Sequence, residues 1–279
     1  MASQILEQRD GSTLFITINN PKKGNSLNVD LIVKLRQVIE DAGKDNTLIA
    51  IVLTGAGKYF CTGMDLSSSS SLLENVPKGA DRSNTQAGRF EQLLDLFKAV
   101  EFCPKPIIAL INGPCYGGGT GLAFACDIRI SVSSAFFVLS EVRRGLTPAI
   151  ISPFIVREWG APLAREAMIQ ARNVPASELH AKGSVHYLVD TLAEGQERVQ
   201  QVLKQQRGCA PHAVGESKRM IRNALDSPTV EERDAKIREL FLTMIKPNEE
   251  VAYGMKEFQT GNRNVDWAAW YTKKASSKL

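Results

Sequence analysis

The chain has 279 residues, long enough for one large domain with a full hydrophobic core, or for one domain with a small appendage. Hydrophobic residues make up 43% of it and charged residues 23%, a balance that excludes a disordered polymer. Thirty-four Lys and Arg face 30 Asp and Glu, and the densest basic clusters (Arg143-Arg144, Lys218-Arg219, Lys273-Lys274) form no stripe of the kind that tracks a phosphate backbone, so no nucleic-acid partner is expected.

Cys61, Cys103, Cys115, Cys126 and Cys209 form no C-x-x-C pair, and their odd number implies a compartment that tolerates free thiols. His180, His186 and His212 stand outside any metal-ligand spacing, so no metal is expected. The opening MASQILEQRDG lacks a basic segment followed by an apolar one, and no run approaches the roughly eighteen apolar residues that span a bilayer. Neither secretion nor a membrane partner is therefore expected.

In chain order, residues 14–19 are a β-branched apolar run that ends in the turn-forming Asn19-Asn20-Pro21, which predicts a strand and a loop. Leu31, Ile32, Leu35, Val38 and Ile39 recur at helical spacing behind Asn28, a good N-cap, so a helix is predicted over 29–42. Residues 48–55 read as a buried strand. The stretch 67–84, with five consecutive serines, lacks the apolar residues for a core and reads as an exposed, mobile loop. A helix over 89–100 and a strand over 107–111 follow, then Gly117-Gly118-Gly119, an apolar helical stretch over 122–125 and a strand over 128–132. This alternation makes the fold class α/β. From about residue 175 the chain turns helical, with amphipathic stretches at 192–206, 211–225 and 229–244 that read as an appended subdomain.

Three segments carry candidate chemistry. The loops 57–66 and 112–122 are glycine-centred and each follows a predicted strand. Glycine permits close approach and positive φ, and a glycine run opening a helix leaves its first amides unpaired, which suits an anion or an oxyanion. Either loop alone reads more readily as a packing or turn solution than as a catalytic one. Neither matches a G-x-x-x-x-G-K-[ST] phosphate loop or a dinucleotide fingerprint. The third segment, Leu139-Ser140-Glu141-Val142-Arg143-Arg144, sets an acid between apolar residues and two arginines. Burial beside Leu139 and Val142 would raise its pKa into the range of a proton shuttle, whereas pairing with Arg143 or Arg144 would hold it down as a structural carboxylate.

Taken together the segments resemble the crotonase (enoyl-CoA hydratase/isomerase) superfamily. FCTGMDL resembles its F-x-x-G-x-D-L loop, INGPCYGGGTGLAFACDIRI its N-G-x-x-x-G-G-G-x-x-L-x-x-x-C-D segment, and SEVRRGLTPA its x-E-x-x-x-G-L-x-P segment. NPKKGNSLN and AKGSVHYLVD are similar to further landmarks, so the likeness runs in order from about residue 12 to residue 260. The resemblance implies a crotonase-like β-β-α spiral core with a helical C-terminal trimerisation region. Its boundaries fall at 1–200 for the acyl-CoA-binding catalytic core, 201–265 for the helical region and 266–279 for a flexible tail.

It further implies an acyl-CoA substrate with coenzyme A as part of that substrate, no separate cofactor, and assembly as a homotrimer or hexamer. The thioester oxygen would rest on the backbone amides of Met64 and Gly118, with Glu141 as the catalytic carboxylate. Lys23, Gly63, Met64, Asp65, Leu66, Gly117 and Gly118 would bind substrate, and Lys22 and Lys256 are further basic candidates for the nucleotide half. Asp65 reads as a loop or helix cap, not an acid, and Arg143 or Arg144 would meet a carboxylated acyl chain. Hydratases of the superfamily carry a second glutamate two positions after the triple glycine, where this chain has Gly121. A one-glutamate site resembles the Δ3,Δ2-enoyl-CoA isomerases, so isomerisation ranks first and hydration second, with Glu74, Asp81 and Glu91 as stand-ins for the missing acid. Ser277-Lys278-Leu279 reads as a peroxisomal address, to be recognised by the import receptor.

Overall fold

The computed structural model describes residues 3–65, 86–246 and 248–276; the serine-rich stretch and the terminal tripeptide lie outside the described residues. The chain opens with β1 (Ile5–Asp10), β2 (Thr13–Ile18), α1 (Val29–Lys44), β3 (Ala50–Gly55), α2 (Gln86–Phe102) and β4 (Ile107–Ile111). β5 (Cys115–Tyr116), α3 (Gly118–Ala125), β6 (Ile128–Val132) and β7 (Phe136–Val138) follow. Then come α4 (Ser152–Trp159), α5 (Ala161–Gln170), β8 (Val174–Pro175), α6 (Ala176–Ala181) and β9 (Tyr187–Val189). The chain ends in α7 (Leu192–Gln206), α8 (Pro211–Asp226), α9 (Val230–Met244), α10 (Glu249–Gln259) and α11 (Trp267–Ser276).

The main sheet has the order β1-β2-β3-β4-β6-β9, antiparallel between β1 and β2 and parallel from there on, and β5-β7-β8 form a smaller sheet. The period-2 alternation of a strand explains the unbroken apolar runs of β3 and β4. Ile51, Leu53, Ile107, Ala109 and Ile111 enter the core under α1, α2 and α3. Ala50, Val52, Ile108 and Leu110 point the other way, onto Val199, Val202 and Leu203 of α7. α1 starts where the sequence places it, with Asn28 Oδ1 accepting from Leu31 N at 2.9 Å.

Two boundaries differ from the sequence reading. The division at residue 200 falls inside α7, which is no appendage: it closes the second face of the main sheet. Residues 266–276 of the expected flexible tail are ordered, because α11 carries Trp267 and Ala268, both buried. Trp267 N donates to Arg207 O (2.9 Å), Arg207 pairs with Asp266 (2.7 Å), and Tyr271 donates to Glu250 Oε1 (2.6 Å). The aromatic residues in WAAWYTKK are what bind it: Trp267 meets Tyr253 edge-on at 5.5 Å between ring centres. Trp267→Ala is expected to cost about 3–5 kcal/mol, seen as a lower urea midpoint with an unchanged denaturant slope.

Candidate active site

The two glycine loops meet at one place. Cys61 and Cys115 face each other in a parallel bridge, Tyr116 N donating to Cys61 O at 3.0 Å. One step along, Leu27 pairs with Met64: Leu27 N donates to Gly63 O (2.7 Å) and Asp65 N to Leu27 O (3.0 Å). In a parallel bridge of that register the middle residue's own N–H points away from its partner, so the Met64 amide is turned outward and free. Gly118 is the first residue of α3 and its amide is one of the orphan donors of a helix start. Neither N–H has an acceptor among the described residues.

Close approach explains the glycines. Gly63 has φ +80°, and a methyl group added to it would lie 2.7 Å from Tyr116 O and 3.0 Å from the Gly118 nitrogen. A methyl on Gly118 would stand 3.8 Å from the Met64 nitrogen, so the two free amides are neighbours. Two convergent donors in this setting suit an oxygen that gains negative charge during a reaction. Asn25, which the sequence reading did not single out, locks the preceding turn: it sits at φ +57°, fully buried, accepting from Asn20 N and donating to Ala56 O and Tyr59 O at 2.7–2.9 Å. An Asn at a left-handed position after glycine was its available signal.

Glu141 arrives from a third segment, a 3-10 turn over Ser140–Arg144. Its carboxyl lies over Gly117, where a methyl group would come within 2.8 Å of Oε1, so any side chain at that position would push the acid away. Oε2 is buried without a hydrogen-bond partner. Of the two environments the sequence left open, burial prevails. Arg143 donates to Ala171 O (2.7 Å) and Arg144 to Ser140 O and Oγ (3.2–3.3 Å), and neither forms an ion pair with Glu141. Desolvation raises the Glu141 pKa, opposed by its own backbone amide and by the more distant charge of Arg144.

These groups line one cleft of about 920 Å³, with Lys23, Gly63, Met64, Asp65, Gly117, Gly118 and Glu141 all on its wall. Lys23 Nζ pairs with Asp65 Oδ2 at 3.2 Å, so two expected substrate-binding residues hold each other at the mouth. Phe90, Leu93, Leu146, Pro148, Ile150 and Ile151 give the cleft its apolar side, and Arg144 is a cation on its wall. Lys22 and Lys256 are exposed and do not line it. Leu66, Glu74 and Asp81 lie outside the described residues, and Glu91 is exposed on α2. Burial pushes the Cys61 thiol up to about 12 and the Cys115 thiol well above its ordinary value, so both pack as small apolar groups.

Gly121 is the position that most constrains the chemistry. A methyl group there would fall 2.2 Å from Ile151 Cγ2 and 2.9 Å from Phe97 Cε1, both on buried side chains. The volume a second carboxylate would need is already filled with hydrocarbon. Ile151 therefore matters to the site although nothing in its own sequence context marked it.

The family model described as Enoyl-CoA hydratase/isomerase matches residues 8–269. An enoyl-CoA hydratase of Alternaria alternata is 39% identical over 264 residues, which cover 95% of this chain and 83% of that protein. A peroxisomal Delta(3,5)-Delta(2,4)-dienoyl-CoA isomerase of Arabidopsis thaliana is 32% identical, over 78% of this chain and 80% of its own. A crystal structure of an enoyl-CoA hydratase/isomerase from Marinobacter aquaeolei superposes with a TM-score of 0.85 at 27% identity, covering 95% of this chain and 99% of the other. On its fold, its motifs and these likenesses, the chain belongs to the enoyl-CoA hydratase/isomerase family.

Proposed function

We propose that the chain shifts the double bond of a 3-enoyl-CoA to the 2-position, with Glu141 as the sole proton shuttle. The observation that carries this reading is Gly121: the place for a second acid is packed against Ile151 and Phe97, and of the two carboxylates that line the cleft among the described residues, Asp65 is paired with Lys23, which leaves Glu141. The thioester oxygen accepts from the Met64 and Gly118 amides. Glu141 takes a proton from C2, the negative charge spreads onto that oxygen as a dienolate, and the same carboxyl returns the proton at C4. One preorganised donor of this kind is typically worth about 10²–10³ in rate. The apolar side of the cleft receives the acyl chain, while Lys23, at the mouth, is suited to the phosphates of coenzyme A.

Hydration of a 2-enoyl-CoA is the second reading, favoured by the hydratase names of relatives at 38–39% identity. It requires one carboxylate both to orient water and to supply the α-proton. Assembly as a homotrimer or hexamer is supported by the apolar side chains that α8 to α10 leave exposed, among them Met220, Ile221, Ile237, Phe241 and Phe258. Ser277-Lys278-Leu279 supports import into peroxisomes.

The purified protein is expected to consume 3-enoyl-CoA faster than trans-2-enoyl-CoA, and Glu141→Gln to lower that turnover by about 10²–10⁴-fold. Preferential consumption of the 2-enoyl ester, with a 3-hydroxyacyl product, would replace isomerisation by hydration.

The same variant carries a stability signature. A carboxyl whose folded pKa is raised above its ordinary value of 4.5 favours the folded state below that value and loses the contribution as pH rises through the folded pKa. Glu141→Gln is therefore expected to match the parent in melting temperature at low pH and to equal or exceed it at pH 7 to 8. Turnover by the parent should rise with pH across that same raised pKa, since the base must be ionised.

Deleting Ser277 to Leu279 from a fluorescently tagged protein is expected to change a punctate peroxisomal distribution into a diffuse one. Unchanged puncta would remove the import assignment.

A further inference from the structure

A second cavity, of about 250 Å³, lies between the ends of α1 and α2 and the first turns of α8, and it shares no lining residue with the acyl-CoA cleft. Its wall includes Lys105, Arg219 and Arg222 against one carboxylate, Glu216, and Glu216 is taken by Arg219 at 2.6 Å. Lys105 is the unusual member. The residue is only 7% exposed, and although its carbonyl accepts from Lys218 Nζ (2.9 Å), its ammonium has no hydrogen bond or ion pair among the described residues. Lysine is rarely buried to that degree without a partner, because an unpaired ammonium in a low dielectric is costly.

The carboxylates whose charge reaches Lys105, Asp45 and Glu250, make their hydrogen bonds to other groups. Asp45 accepts from Arg9 and from Thr47, and Glu250 accepts from His212 N (2.9 Å) and the Tyr271 hydroxyl (2.6 Å). Asp127 is held by Lys218 and by Ile107 N. Among the described residues Arg222 has no carboxylate in ion-pair contact either: it donates one N–H to Glu101 O (2.9 Å) and lies over the exposed Phe102 ring, 4.7 Å from its centre, with Glu101, Asp127 and Asp226 acting on it only through their charge. The cavity thus presents two cations that, among the described residues, have no carboxylate in ion-pair contact, beside an aromatic face. Burial also holds the Lys105 pKa below the ordinary lysine value, with Cys103, Asp45 and Glu250 only partly offsetting it.

We propose that this cavity is a second ligand site, distinct from the acyl-CoA cleft, which takes a phosphate group between Lys105 and Arg222. A phosphate brings the contacting counter-ion that neither Lys105 nor Arg222 has among the described residues, and enough acceptor oxygens for both cations. It reaches the site either as inorganic phosphate or on a nucleotide, whose base would lie on Phe102 and Arg222.

Thermal unfolding of the purified full chain tests this, with inorganic phosphate and adenosine monophosphate as probes against sodium chloride at matched ionic strength. Phosphate is expected to raise the melting temperature saturably, by roughly 2–4 °C when well above its dissociation constant. Lys105→Met should abolish that rise, and Arg222→Gln should weaken it while leaving enoyl-CoA turnover unchanged. Saturation at a lower concentration of adenosine monophosphate assigns the site to a nucleotide, and equal concentrations assign it to the free ion. No rise beyond that in chloride overturns the proposal, as does an undiminished rise in both variants. Should Lys105→Met fail to fold, Arg222→Gln decides alone, an unchanged response being the overturning result.

Discussion

Two stretches of main chain cross at the centre of this molecule with no side chain between them, and the organisation of the site depends on that contact. Gly63 rests against the Tyr116 carbonyl and the Gly118 amide, closer than any residue with a Cβ allows. The parallel bridges at Cys61–Cys115 and Leu27–Met64 set the register on either side, and the Met64 and Gly118 N–H groups are left without partners among the described residues. Unsatisfied donors are normally a liability inside a protein. Here they open onto a cleft in which a ligand oxygen can satisfy both.

The scaffold holds this crossing rigid from two directions. Behind it, β3 and β4 are buried on both faces, by α1 to α3 on one side and α7 on the other, so the strands that deliver the loops have little freedom to shift. Alongside, Asn25 ties the turn that carries Lys23 to the carbonyls of Ala56 and Tyr59. Glu141 is delivered independently, on a turn closed by Leu146 N donating to Glu141 O at 3.1 Å. Donors and acid thus come from separate pieces of chain and meet only in the folded molecule.

Much of this was legible beforehand, for identifiable reasons. Apolar runs long enough to be strands, an Asn at a helix start and glycines at loop tips are local signals, and β3, α1 and the two donor loops follow from them. Glu141 was legible as a candidate but not as a base, because its pKa depends on where Arg143 and Arg144 turn, and each finds a carbonyl instead. The order of the tail is not legible in its own sequence because Trp267 acts through Tyr253 and Arg207, partners that a single stretch does not reveal. Lys105 is illegible for the same reason: a lone lysine between prolines gives no hint that it folds into a cavity wall with Arg222.

The packing at Gly121 bears on how such a site could change over time. A carboxylate there would overlap Ile151 and crowd Phe97, so its arrival alone would disrupt the core before it offered any new chemistry. Smaller side chains at 97 and 151, without the acid, would leave a cavity instead. The three positions touch, so their substitutions are not expected to add independently, and an acid at 121 calls for smaller side chains at 97 and 151 in the same chain.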